Sequence, residues 1–147
     1  MPMYKRNYRR NYSRSKRSVD KQLISIQQST TVSRLLFTCT YPCTVGGLRW
    51  DLSTGNANND IIYWAIVVAK EGYNPNTLDL TSGNTLYQPE AQVMAFGIIS
   101  NFSGNSLNIG NTNTKRKLME GDRLYFIADS PAPSQEVNGI IQFFLTT

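Results

Sequence analysis

The chain has 147 residues, with no histidine, two cysteines, fifteen Lys and Arg against ten Asp and Glu, and a net charge of +5. A chain of that length forms one domain able to bury roughly two-thirds of its unfolded surface, so it needs neither disulfide nor metal to fold. Lack of histidine excludes the usual general base, the usual metal ligand and every Ser-His or Cys-His nucleophile pair, which leaves only carboxylates for catalysis.

The charge is not spread evenly. Residues 1–21 hold Lys5, Arg6, Arg9, Arg10, Arg14, Lys16, Arg17 and Lys21 against the single acid Asp20, a net of +7, while residues 22–147 carry −2. A basic arm on a mildly acidic body is the electrostatic footprint of a polyanion partner, and nucleic acid is the commonest polyanion. Before Val19 the arm's large apolar groups are Met1, Met3, Tyr4, Tyr8 and Tyr12. They are too few to offset about 1–2 kcal/mol of backbone entropy per residue, so the arm is expected to be disordered on its own. The tyrosines recur every fourth residue within YKRN, YRRN and YSRS. Cations neutralise phosphates and tyrosines stack on unpaired bases, and both effects are indifferent to base sequence. A solubilising tail or a nuclear-import signal has the same composition.

Beyond the arm the pattern is that of strands. LISIQQ begins the body, and after Ser29-Thr30-Thr31 the segment VSRLLFTCT places Leu35, Phe37 and Cys39 on one side at period two. Tyr41-Pro42-Cys43 ends that strand. VGGLRWDLS then sets Leu48, Trp50 and Leu52 against Arg49 and Asp51, and Gly46-Gly47 marks a bulge or close strand packing. The continuous apolar run IIYWAIVVAK after the loop 53–60 suits a central strand covered on both faces. A long polar connection, anchored by Leu78, Leu80 and Tyr87, leads to AQVMAFGIISN, apolar on both faces, and 103–114 is expected to be a second polar loop. KRKLM and RLYFIAD, joined by Glu120-Gly121-Asp122, are expected to form a hairpin, with Leu118 and Met119 entering the core. VNGIIQFFL closes the chain. Eight strands are thus expected, at 22–28, 32–40, 44–52, 61–70, 91–101, 115–119, 122–129 and 137–145, with no amphipathic helix. An antiparallel sandwich or barrel accommodates them, a double-sheet jelly roll being one solution.

No catalytic, metal or cofactor motif stands out. Two cysteines without histidine make half a zinc site at best, and Cys39 and Cys43 are expected to be reduced structural thiols. Asp51, Asp60, Glu71, Asp79, Glu90, Glu120, Asp122, Asp129 and Glu136 fall mostly in loops or on outward faces. The basic start lacks the apolar run of a signal peptide, so folding inside the cell is expected and the sequons at Asn11 and Asn101 are read as chance matches. The longest apolar stretch, Ile61 to Ala69, is too short for a spanning helix, so no membrane insertion is expected. Lys115, Arg116 and Lys117 either protect an edge strand or extend the nucleic-acid surface. The loops carry Asn, Ser, Thr and Gly in place of Lys and Glu, which suits closely packed identical subunits.

The Arg/Tyr-rich arm followed by TYPCTVGGLRWDLS, IIYWAIVVAKEG, LYQPEAQVMAFG, TKRKLMEGDRLYFIADS and VNGIIQFFL resembles the coat proteins of small circular single-stranded DNA viruses that encode a replication initiator, the circovirus-like viruses. The resemblance runs over essentially the whole chain, with a shorter arm and shorter loops than those coats have. It implies a single jelly roll over 22–147, sixty copies in an icosahedral shell, and the arm of residues 1–21 facing inward on the genome through Lys5, Arg6, Arg9, Arg10, Arg14, Lys16 and Arg17. It further implies a virion location, assembly in the host nucleus and a host receptor of unknown kind. Satellite plant-virus coats share the plan, so an RNA genome stays open. The other class is a monomeric basic-tailed nucleic-acid-binding module of ribosomal or single-strand-binding type. A barrel of that type carries its basic groove on the body, whereas here the body is acidic.

Overall fold

The described residues of a computed structural model, 18–29, 33–54, 61–74, 80, 91–100, 107–130 and 136–147, form nine strands in two antiparallel sheets. The strands are β1 (Val19–Ser29), β2 (Ser33–Thr38), β3 (Cys43–Thr54), β4 (Ile61–Ala69), β5 (Ala91–Ser100), β6 (Leu107–Thr112), β7 (Arg116–Leu118), β8 (Arg123–Asp129) and β9 (Glu136–Thr146). One sheet has the order β1-β9-β3-β6 with β7 also on β3, and the other the order β2-β8-β4-β5. The chain is therefore an all-β sandwich. With the short β7 set aside, the first strand pairs with the last, the second with the second-last, and so inward to β4 with β5. Rolling up a long antiparallel ribbon produces that pairing, which is the order of a jelly roll.

The core lies between the sheets. Ile62, Trp64, Ile66 and Val68 of β4, Leu124, Phe126 and Ala128 of β8, Leu48 and Leu52 of β3, and Ile141, Phe143 and Leu145 of β9 fill it. Period-two alternation sends every second residue of each strand to that layer. The other face of β4, with Ala65, Val67 and Ala69, joins Tyr125 and Ile127 in a smaller cluster covered by Tyr73 and Leu80. The run IIYWAIVVA is thus covered on both faces, as its composition implies. Leu78, Tyr87 and the sequon asparagines Asn11 and Asn101 lie outside the described residues.

Several expectations are corrected. Residues 107–112 of the expected loop 103–114 form β6, whose inward positions Asn108, Gly110 and Thr112 lack the apolar signature of a strand. The Trp50 indole takes up the core space there, and a Cβ on Gly110 would fall 2.6 Å from it. The inward face of β6 must therefore be small. Leu35 is 47% exposed while Leu36 is buried, because a bulge between Leu35 and Phe37 shifts the pairing of β2 with β8 and reverses the side-chain phase upstream. Although apolar on both faces, β5 is an edge strand, and its Phe96 and Ile98 are exposed.

The expected hairpin does not form. Its turn exists, with Asp122 N–H donating to the Met119 carbonyl at 3.0 Å and Gly121 at φ 89°. Yet β7 pairs with β3 and β8 with β2 and β4, so the turn passes between sheets. Leu118 is buried as expected, but Met119 is half exposed at the corner. What holds the corner is Asp122, a buried exception among the acids. Its Oδ2 accepts from Met119 N at 2.9 Å and from Lys70 Nζ at 3.0 Å. The Cys39 backbone also clasps the corner, donating to the Asp122 carbonyl and accepting from Gly121 N–H.

Candidate nucleic-acid interface

Of the eleven cations proposed from sequence, Lys5, Arg6, Arg9, Arg10, Arg14, Lys16 and Arg17 lie outside the described residues. The remaining four, Lys21, Lys115, Arg116 and Lys117, are all exposed. Strand β1 takes in Val19, Asp20 and Lys21, which the charge split had grouped with the arm.

The register of the five-stranded sheet sorts these cations. Val19 pairs with Thr146, Thr146 with Thr44, and Thr44 with Lys117, so the root of the arm and Lys117 end one row across four strands. Three steps between strands span roughly 15 Å. One row inward, Lys21 pairs with Phe144 and Phe144 with Gly46. The stem of Lys115 lies over Gly46, where an added Cβ would stand 2.9 Å from its Cγ. The next row runs Leu23, Gln142, Arg49, Asn111. Lys21, Arg49, Lys115 and Lys117 thus share the outer face of this sheet at the end where the arm enters. Arg116 pairs with the core residue Val45 and so belongs to the opposite side of the strand. Among the described residues of that face the carboxylates Asp51 and Glu136 sit toward the other end of the strands, and Glu136 receives a hydrogen bond from Gln27.

Within the basic end is a pocket of about 360 Å³ lined by Thr44, Gly46, Gly47, Lys115, Phe144 and Thr146. Because neither glycine carries a side chain, the Lys115 stem and the Phe144 ring pack directly on the backbone of β3. Gly47 has φ 61°, a left-handed conformation that glycine adopts without strain, and the Phe144 ring lies 2.7 Å from where its Cβ would be. The register of β3 against β9 slips between Gly46 and Arg49, so the glycine pair does mark a bulge as well as a close approach. Phe144 and Arg49 were not singled out from sequence. The alternation of VNGIIQFFL carried the signal for Phe144, since a strand that buries Phe143 and Leu145 must turn Phe144 outward.

As a short edge strand rich in cations, β7 also blocks stray pairing of the sheet, and that role is compatible with a polyanion surface. A second concavity, about 670 Å³, lies on the other sheet and includes Glu71, Tyr73, Arg123 and Tyr125. Its cation is engaged in holding the fold, since Arg123 donates to the Tyr125 hydroxyl at 2.9 Å and to the Tyr73 carbonyl at 2.8 Å.

Cys39 and Cys43 are free and buried, with Sγ atoms 3.8 Å apart, and the Cys39 thiol donates to the Tyr41 carbonyl at 2.9 Å. Burial, then its hydrogen bond to the Cys39 sulfur and the charge of Cys39, pushes the Cys43 thiol from 9.0 up to about 11. A thiol held protonated in this way is a poor nucleophile and a poor metal ligand at neutral pH.

No family model matches the chain, and no curated protein matches it. Among solved structures, a chain from the structure of infectious bursal disease virus Gx strain is similar at a TM-score of 0.47 and 10% identity, over 89% of this chain and 32% of that one. The present chain spans about a third of that chain's length.

Proposed function

We propose that the chain is a viral coat protein: its jelly-roll body of eight principal strands self-assembles into a small icosahedral shell of sixty copies, and its arm packages single-stranded DNA without reading its sequence. The observation that carries this reading is the shared address of two basic features. The arm, +7 over residues 1–17, joins the body at Val19, on the same end of the same sheet face as Lys21, Lys115 and Lys117. The arm's charge is thus tethered at the basic end of this face, while the rest of the body is acidic. The sequence blocks that resemble circovirus-like coats supply the copy number, the DNA genome, the virion location and assembly in the host nucleus, and the body's apolar outer residues supply contact area for neighbouring copies.

Light scattering of the purified full chain, with micrographs of the same sample, tests this reading. Megadalton particles of uniform size with a high 260/280 absorbance ratio are expected. A stable monomer that binds oligonucleotides would make the chain a basic-tailed binding module instead.

A further inference from the structure

We infer that the pocket beneath Lys115 seats an unpaired base of the bound strand, with Phe144 as the stacking platform and Lys115, Lys21 and Lys117 on the flanking phosphates. This rests on the nucleic-acid reading above and specifies how the body takes part. The pocket's volume, about 360 Å³, is at the small end of the roughly 300–1,000 Å³ typical of ligand sites. Its lining combines one aromatic ring with two threonines, a cation and two glycines, and no carboxylate. Phe144 is only half buried, and Lys21 is its direct cross-strand neighbour. An aromatic ring ringed by lysines on an uncharged floor is the arrangement that holds single strands through stacking and phosphate neutralisation.

The charge complements a polyanion on this face, and the arm is tethered in the adjacent row at Val19. A strand held by the arm is thereby delivered to the pocket. A paired base cannot enter, because its stacking faces are already occupied, so the pocket favours single strands over duplex.

Ultraviolet cross-linking of the full chain to oligothymidylate, with mapping of the linked peptide by mass spectrometry, tests the inference. Titrations of the same chain with single-stranded and duplex oligonucleotide go beside it. The expected result is a link on the peptide containing Phe144, and a preference for single strands that Phe144→Leu reduces roughly ten-fold. If Phe144→Leu melts well below the unaltered chain, Lys115→Ala replaces it and should lower the log-affinity against log-salt slope by about 0.7. Links confined to Tyr4, Tyr8 and Tyr12, with the variant binding like the original, would overturn the pocket and leave nucleic-acid binding intact. No salt-dependent binding by the unaltered chain would overturn both.

Discussion

The Trp50 indole N–H donates to Oδ1 of Asn108 at 2.9 Å, and Nδ2 of the same asparagine donates to the Ile98 carbonyl at 2.7 Å. Asn108 belongs to the edge of one sheet and Ile98 to the edge of the other, so a single amide joins the two layers where the sandwich would otherwise open. Below it, Trp50 meets Trp64 with ring centroids 5.0 Å apart, and Trp64 stacks on Phe126.

Trp50→Ala removes both the ring contact and the hydrogen bond. It is expected to destabilise the body by about 3 kcal/mol, the lower end for large aromatic truncations because Trp50 is partly exposed. Asn108→Ala should cost about 1–2 kcal/mol by leaving the indole N–H unpaired. Trp50→Phe should cost little more once Asn108 is already Ala. Denaturant midpoints of the single and double variants check this, and strictly additive losses would dissolve the relay.

The same residues show what was legible beforehand. The inward face of β3 at Leu48, Trp50 and Leu52 and the double burial of β4 follow from alternation and composition alone, since apolar side chains occupy those positions. Strand β6 was hidden because its inward face is Asn108, Gly110 and Thr112, made small by a ring that another strand supplies. The bulge at Leu36 and the passage of the chain between sheets at Asp122 were hidden as well. Both depend on cross-strand partners that period-two reasoning cannot name. For the basic surface, the cations were legible as charge, whereas their convergence on one end of one face required the register.

Asp122→Ala removes the acceptor for both Met119 N–H and Lys70 at the corner between sheets. A loss of about 2–3 kcal/mol is expected, in line with charge-assisted bonds to a buried carboxylate. Lys70→Ala should cost less, because Lys70 is 45% exposed and the backbone donor remains. Thermal melting of both variants decides the order, and a larger loss for Lys70→Ala would contradict it.

The Cys43 thiol gives a pH signature. Its proton is held up to about pH 11 in the folded chain, against 9.0 ordinarily, so the unfolded chain releases it first as pH rises. The group's contribution to stability is complete below pH 9 and falls between 9 and 11. The stability difference between the chain and Cys43→Ala should therefore shrink over that window, and a constant difference would contradict the assignment. Alkylation without prior reduction should label both thiols on unfolding and spare them in the native chain at neutral pH.

Gly139 has φ 154°, and a Cβ there would collide with the carbonyl of Asp51 on the neighbouring β3. Gly139→Ala must separate the two central strands of the five-stranded sheet. Loss of soluble folded protein is expected, and circular dichroism of any soluble fraction would reveal a tolerated substitution.

The nucleic-acid content of particles made with and without residues 1–17 tests the central claim most directly. The cut leaves every strand of the sandwich whole, because β1 begins at Val19. For the full chain, the seven arm cations contribute about −5 to the log-affinity against log-salt slope on single strands, and particles filled with nucleic acid are expected. The shortened chain should still assemble, giving particles whose 260/280 ratio is that of protein alone. Shortened particles still filled with nucleic acid would contradict the account by placing the packaging surface wholly on the body.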